Sequence, residues 1–156
     1  MTGTTTRGRT VEHRPRPTHP PPRQPVKAVL DLGAVPTAPG CARAWTRQIL
    51  WEWRLAALSD TTEVIVSELT TNAMLASRRE SRPCIRLILT LDQGELAVLV
   101  RDYCAGSPQP RDAGTYDEDG RGLLLVEALS SRTGWYPAGD GIPGKVVWAV
   151  ASGHTA

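Results

Sequence analysis

An α/β domain is what the sequence predicts, and three stretches predict it. Val64 to Ser77 (VIVSELTTNAMLAS) reads as a helix, with Val64, Leu69, Ala73 and Ala76 supplying apolar surface. Cys84 to Leu91 alternates, with Ile85, Leu87, Leu89 and Leu91 on one face and Arg86, Ile88 and Thr90 on the other. That is the period of a half-buried strand. Asp92-Gln93-Gly94-Glu95 then reads as a hairpin turn into a second strand, Leu96 to Arg101, whose greater apolarity makes it more central. A hairpin so short pairs its strands antiparallel.

The other elements follow in order. Met1 to Pro25 is rich in Thr, Arg and Pro and reads as a disordered basic tail. Val26 to Leu32 makes a first strand, and Gly33 to Gly40 a loop with two prolines. A helix is expected from about Cys41 to Trp53, with Ala42, Trp45, Ile49 and Trp53 forming its apolar stripe and Trp51 off it. Ser59 or Asp60 is placed to cap the next helix, with Glu63 completing a capping box with Asp60. Beyond the hairpin, Gln109 to Asp119 is a polar loop, and Gly120-Arg121-Gly122 opens a helix of about ten residues, LLLVEALSS. Gly134 to Pro143 is expected to be loop, Lys145 to Val150 the last strand, and 152–156 a frayed end.

Composition narrows the function classes. The 156 residues suit one domain plus a tail. There is no apolar run of about 18 residues and no apolar segment behind the basic N-terminus, so a soluble cytoplasmic protein is expected. Cys41, Cys84 and Cys104 form no CxxC pair, which argues against a zinc site or a disulfide framework. Residues 1–27 carry a local charge of +5 and the rest −3, giving the net +2. The basic character thus belongs to the tail, and a nucleic-acid role for the domain is disfavoured.

Four pieces bear chemistry. Glu68 and Asn72, four residues apart, stack on one helix face. The carboxylate suits a general base, and the carboxamide oxygen suits Mg²⁺. Asp102 ends a central strand, where a buried carboxylate can accept from an amino-bearing heterocycle such as adenine. Gly120-Arg121-Gly122 opens a helix, whose free N–H groups and positive dipole end favour an anion. Arg121 can meet a phosphate or balance Asp117, Glu118 and Asp119. Taken singly, a solvated helix face or satisfied turn amides explain these residues as well. Their order along the chain is what carries information.

That order resembles the ATP-binding superfamily of gyrase, the heat-shock protein of ninety kilodaltons, histidine kinases and MutL. Its small anti-sigma-factor serine/threonine kinases are the nearest in kind, over Val26 to Ala151. Glu68-Leu69-x-x-Asn72-Ala73 is similar to the family's N box, Asp102-x-x-x-Gly106-x-Pro108 to its first glycine box, and Gly120-x-Gly122-Leu123-Leu124-Leu125-Val126 to its second. Gly144-Lys145-Val146-Val147-Trp148 resembles the closing strand.

The resemblance implies a two-layer α/β sandwich of the Bergerat type over residues 26–151, with a mixed, mostly antiparallel sheet and helices on one face. It implies ATP and Mg²⁺ as cofactors, Asn72 as the metal ligand, Glu68 as the base for a protein hydroxyl and Asp102 as the adenine acceptor. Gly106 would leave room beside the base, Gly120, Arg121, Gly122 and Leu123 would line the phosphate end, and residues 109–119 would form a lid. The implied activity is phosphate transfer to a Ser/Thr of an antagonist (anti-anti-sigma) protein together with sequestration of a sigma factor, by a homodimer. The alternative is a non-catalytic nucleotide-binding or partner-binding module of the same fold. Cys104, with Tyr103 beside it, stands where the first glycine box carries a glycine, and valines follow Lys145 where many relatives place a threonine near adenine. Both departures fall at the base end.

Overall fold

The computed structural model describes residues 24–77, 84–103 and 122–153. In chain order these form β1 (Val26–Gly33), α1 (Ala38–Glu52), a single 3-10 turn (Ala56–Leu58), α2 (Ser59–Ser77), β2 (Cys84–Asp92), β3 (Glu95–Asp102), α3 (Gly122–Leu129), β4 (Ser130–Pro137) and β5 (Lys145–Ala151). All but its last two residues, the tail expected at 1–25 lies outside the described residues.

The strands make one sheet in the order β1-β2-β3-β5-β4, and each neighbouring pair is antiparallel. The β2–β3 hairpin turns on Gln93 (φ 49°) and Gly94 (φ 81°). Two successive positive φ values define the turn whose twist matches that of paired strands, and glycine adopts one of them without strain.

Cross-strand partners share a face, so the register sorts the side chains. Ala28, Leu89, Val98 and Ala149 form one row, and Leu30, Leu87, Val100 and Val147 the next. The helices pack on this face, where Leu87, Leu89, Val98 and Ala149 are fully buried with Ile65 and Val66 of α2. At about 25 cal/mol per Å² of apolar area removed from water, these side chains are the main source of stability. The opposite face carries Val29, Ile88, Leu99 and Trp148 in one row across four strands. The row ends at Gly134, where an added Cβ would stand 2.8 Å from Cζ2 of Trp148. The indole therefore lies over the glycine.

Helix α1 starts with Pro39 in its first turn, where a missing N–H costs nothing. It buries Ala42, Thr46 and Leu50, while Trp45, Ile49 and Trp53 pack at the core margin. The stripe thus centres one residue away from the expected one, because a fully buried threonine is invisible to a count of apolar positions. Trp51, which falls off the stripe, is 70% exposed.

Two expectations fail here. Helix α2 begins at Ser59, and Glu63 does not form a capping box with Asp60. Its carboxylate instead accepts a forked pair from Arg47 of α1, at 3.0 and 2.6 Å, and a bond from Ser59 Oγ at 3.0 Å. A cross-helix guanidinium presents two aligned donors, which outcompetes a single backbone N–H. The second failure is β4. The helix expected to run through LLLVEALSS stops at Leu129, and Ser130 to Pro137 pairs with β5 across a register shift between Ser130 and Arg132. The loop expected at Gly134 to Pro143 therefore starts at Ala138. An edge strand with a glycine, a proline and mostly exposed side chains lacks the alternation that marks a strand in sequence. Among the described residues no helix is long and apolar enough to cross a membrane.

Candidate functional site

The topology brings three element ends together. Asp102 closes β3, and its cross-strand partner Lys145 opens β5. Arg86, near the start of β2, pairs with Arg101, so the C-terminal end of α2 leads into this same end of the sheet. Helix α3 ends at Leu129, against Ser130, whose partner Ala151 lies at the far end of β5. Its N-terminus therefore points back toward the Asp102 end. Glu68 and Gly122 thus meet between α2 and α3, while Asn72, toward the C-terminal end of α2, and Asp102, at the end of β3, lie toward the same end of the sheet.

Glu68 sits halfway along α2, half-buried, with Asn72 half-buried one turn nearer the Asp102 end. Gly122 is buried as the first residue of α3. Its hydrogen side faces Glu68 so closely that an added Cβ would overlap Oε2 and stand 3.4 Å from Cδ. The glycine is what lets the Glu68 carboxylate lie against the start of α3. There it meets the positive end of the helix dipole, which favours a negative charge. Leu123 is half-buried and packs on the core beside Val126. Its side chain serves the helix packing.

At the end of β3, Asp102 has a partner that the sequence did not reveal. Asp102 is buried and forms an ion pair with Lys145, Oδ2 to Nζ 2.9 Å, with side chains only 3% and 8% exposed. The pair is possible because Gly144, at φ +111°, carries the chain into β5 against the backbone of Asp102. A Cβ there would collide with the Asp102 carbonyl oxygen and come within 2.9 Å of Tyr103 Cα. Tyr103 turns to the opposite face, where the Arg101 guanidinium lies 4.8 Å from its ring centroid. That contact is a cation–π interaction, and it takes the tyrosine ring off the Asp102 side.

Gly106, Gly120, Arg121, Cys104 and the lid at 109–119 lie outside the described residues. The structure thus joins Glu68 to Gly122 and places Asp102 at the expected strand end. It adds Lys145, whose role sequence reading missed. The signal was present: a lysine beginning an apolar strand directly after a glycine needs a buried counter-charge, and Asp102 is the acid that ends a neighbouring strand.

Comparison with known proteins agrees with this architecture. Residues 29–150 match the histidine kinase-like ATPase domain family. The crystal structure of the RsbU and RsbW domains of Rv1364c from Mycobacterium tuberculosis superposes with a TM-score of 0.57 at 20% identity, over 83% of this chain and 32% of that one. At that identity the likeness is one of fold, and this chain spans about a third of that protein's length. No curated protein matches the sequence. With the match covering most of the chain, from β1 to β5, this protein belongs to the histidine kinase-like ATPase family.

Proposed function

We propose that the chain binds Mg-ATP between α2, α3 and the Asp102 end of the sheet and transfers its γ-phosphate to a hydroxyl of a protein partner. The observation that carries this reading is the contact of Glu68 with Gly122. It supports a carboxylate held at a helix N-terminus, next to where an anion would be bound by backbone N–H groups. Glu68 takes the proton from the attacking hydroxyl. Gly122 and Leu123 offer N–H groups to the phosphates. Asn72 supplies one oxygen to Mg²⁺.

The donor set fits that ion. Among the described residues no three His, Cys, Asp or Glu side chains cluster to hold a metal. Mg²⁺ commonly takes one or two protein oxygens and completes its shell with phosphate oxygens and water. When bound, it would neutralise charge on the transferring phosphoryl group.

In this reading the chain is a partner-switching regulator. It phosphorylates an antagonist protein and sequesters a sigma factor, acting as a homodimer. A 70% exposed Trp51 on α1 offers an apolar surface for one such contact. Calorimetry of the full chain tests the binding. Glu68→Gln should retain Mg-ATP affinity and lose phosphate transfer, and Asn72→Ala should lose the Mg²⁺ dependence. Absence of ATP binding at millimolar concentration with Mg²⁺ would refute the reading.

A second reading, a partner-binding module without transfer, is favoured by one observation: Asp102 is already engaged by Lys145. Incubation with labelled ATP and candidate antagonist proteins separates the two. Nucleotide binding with no phosphoprotein formed selects the module.

A further inference from the structure

We propose that two copies of this chain pair edge to edge through β4, in a register centred on Gly134, so that their two sheets become one of ten strands. This gives the homodimer of the preceding reading an interface. It rests on that self-association and not on nucleotide binding.

Leu124, Leu125, Trp135, Tyr136 and Ile142 are five of the nine large apolar side chains exposed among the described residues. All five lie on α3, on β4 or in the loop that follows β4. Strand β4 is an edge of the sheet, and its one neighbour among the described residues is β5. An unpaired edge is a template for another strand. The usable part of this edge is short. The register shift between Ser130 and Arg132 disrupts one end, and Pro137, which has no N–H, closes the other. What is left runs from Arg132 to Tyr136, and its midpoint is Gly134.

A two-fold axis that uses all of this segment passes through that midpoint and pairs it with itself, antiparallel. Gly134 then faces its own copy, Thr133 faces the partner's Trp135, and Arg132 faces the partner's Tyr136. A β-branched side chain against an aromatic one, and a guanidinium against a ring, are both favourable cross-strand pairs. The faces agree as well. Thr133 and Trp135 stand opposite Ala149 and Val147, on the helix side, whereas Arg132 and Tyr136 stand opposite Val150 and Val146, on the open side. Trp135 is 43% exposed and Tyr136 44%.

Helix α3 extends the same surface. It packs against α2 on one side and over β4 and β5. Gly122, Leu123, Val126 and Leu129 serve those contacts, and the side turned away from α2 carries Leu124, Leu125 and Ala128. A helix face turned to water is ordinarily polar. Strands lie about 4.8 Å apart, so a helix over the line between β4 and β5 stands about 10 Å from its copy across the axis. Packed helices are separated by about that distance. At about 200 Å² of full exposure each, Leu124 (65% exposed), Leu125 (41%), Trp135 and Tyr136 leave roughly 400 Å² open per protomer. A stable interface buries about 800 Å² per partner. Exposed Ala128, Ser131, Arg132 and Thr133 on the same edge make up the rest.

The test uses the full chain without nucleotide. Sedimentation velocity covers about 1–100 µM, and hydrogen exchange is read at both ends of that range. The dimer should form as concentration rises. With it, the outward amides between Arg132 and Tyr136 should exchange at least tenfold more slowly, while those of the β1 edge do not change. This measurement needs no variant. Leu124→Glu sets a charge against its own copy near the axis, on a side chain already 65% exposed in the single chain. It should fold and raise the dimer dissociation constant at least tenfold. Val35→Lys, at a residue 49% exposed just beyond β1, should leave the constant within about threefold. A dimer whose β4 amides exchange as fast as the monomer's overturns the proposal and leaves the homodimer standing, as does a dimer that Leu124→Glu leaves intact. Protection of β4 that appears only with a different protein bound assigns the edge to that protein and overturns it too. A chain still monomeric at about 100 µM overturns the proposal and the homodimer together, while nucleotide binding is decided separately by calorimetry.

Discussion

Lys145→Met leaves Asp102 as a buried carboxylate without its counter-charge. The side chains are 8% and 3% exposed, so water cannot take over the role of the missing ammonium without opening the end of the sheet. Removing one member of such a pair costs about 3–5 kcal/mol. For a domain of this size, at roughly 4 °C per kcal/mol, the melting temperature should fall by about 12–20 °C. Removing both charges should not cost this much. Asp102→Val with Lys145→Met replaces the pair by apolar side chains that a strand accommodates, and most of the loss should be recovered. The assay is thermal unfolding of the full chain, without nucleotide, by far-ultraviolet circular dichroism. A fall of less than about 3 °C for the single variant would refute the reasoning, because it means that the pair is hydrated. So would a double variant no more stable than the single one.

Three other outcomes follow from the same contacts. Gly122→Ala should fold about as well as the native chain, since the atom in its way is the tip of a flexible side chain. By displacing the Glu68 carboxylate it should cut phosphate transfer at least tenfold with ATP affinity within about threefold, read by a labelled-phosphate assay beside calorimetry. Gly144→Ala meets backbone rather than a side-chain tip, at φ +111°, and should lower stability by about 2–4 kcal/mol in urea unfolding. The Arg47 hydrogen bonds hold Glu63 below its usual pKa, against the opposing effect of burial. The unfolded chain therefore binds the proton more readily, so this stabilisation is complete above the ordinary glutamate pKa of about 4.3 and is lost as pH falls through the lowered folded value. Glu63→Gln should be less stable than the native chain at about pH 6, and the gap should close below about pH 4, as followed by melting temperature against pH.

How much of this was legible in the chain differs from element to element. The β2–β3 hairpin was legible to within a residue at each strand end, because period-two alternation and an Asp-Gln-Gly-Glu turn are local signals. The Glu68/Asn72 face of α2 was legible for the same reason, as helical spacing needs no knowledge of the fold. The start of α2 was not, because Glu63 is bound by an arginine on another helix rather than by its own cap. β4 was missed because only its pairing with β5 makes Ser130 to Pro137 a strand.

At the site the division is the same. Sequence by itself determined the set of polar groups and their order: a carboxylate and a carboxamide one turn apart, an acid ending a central strand and a glycine opening a helix. Only the tertiary structure decided their partners. It set Glu68 against Gly122 and set Lys145 against Asp102, two contacts between residues far apart in the chain. Periodicity reports which way a side chain faces relative to its own backbone, whereas a partner across the sheet depends on register, on the close approach that Gly144 permits, and on what else is buried there.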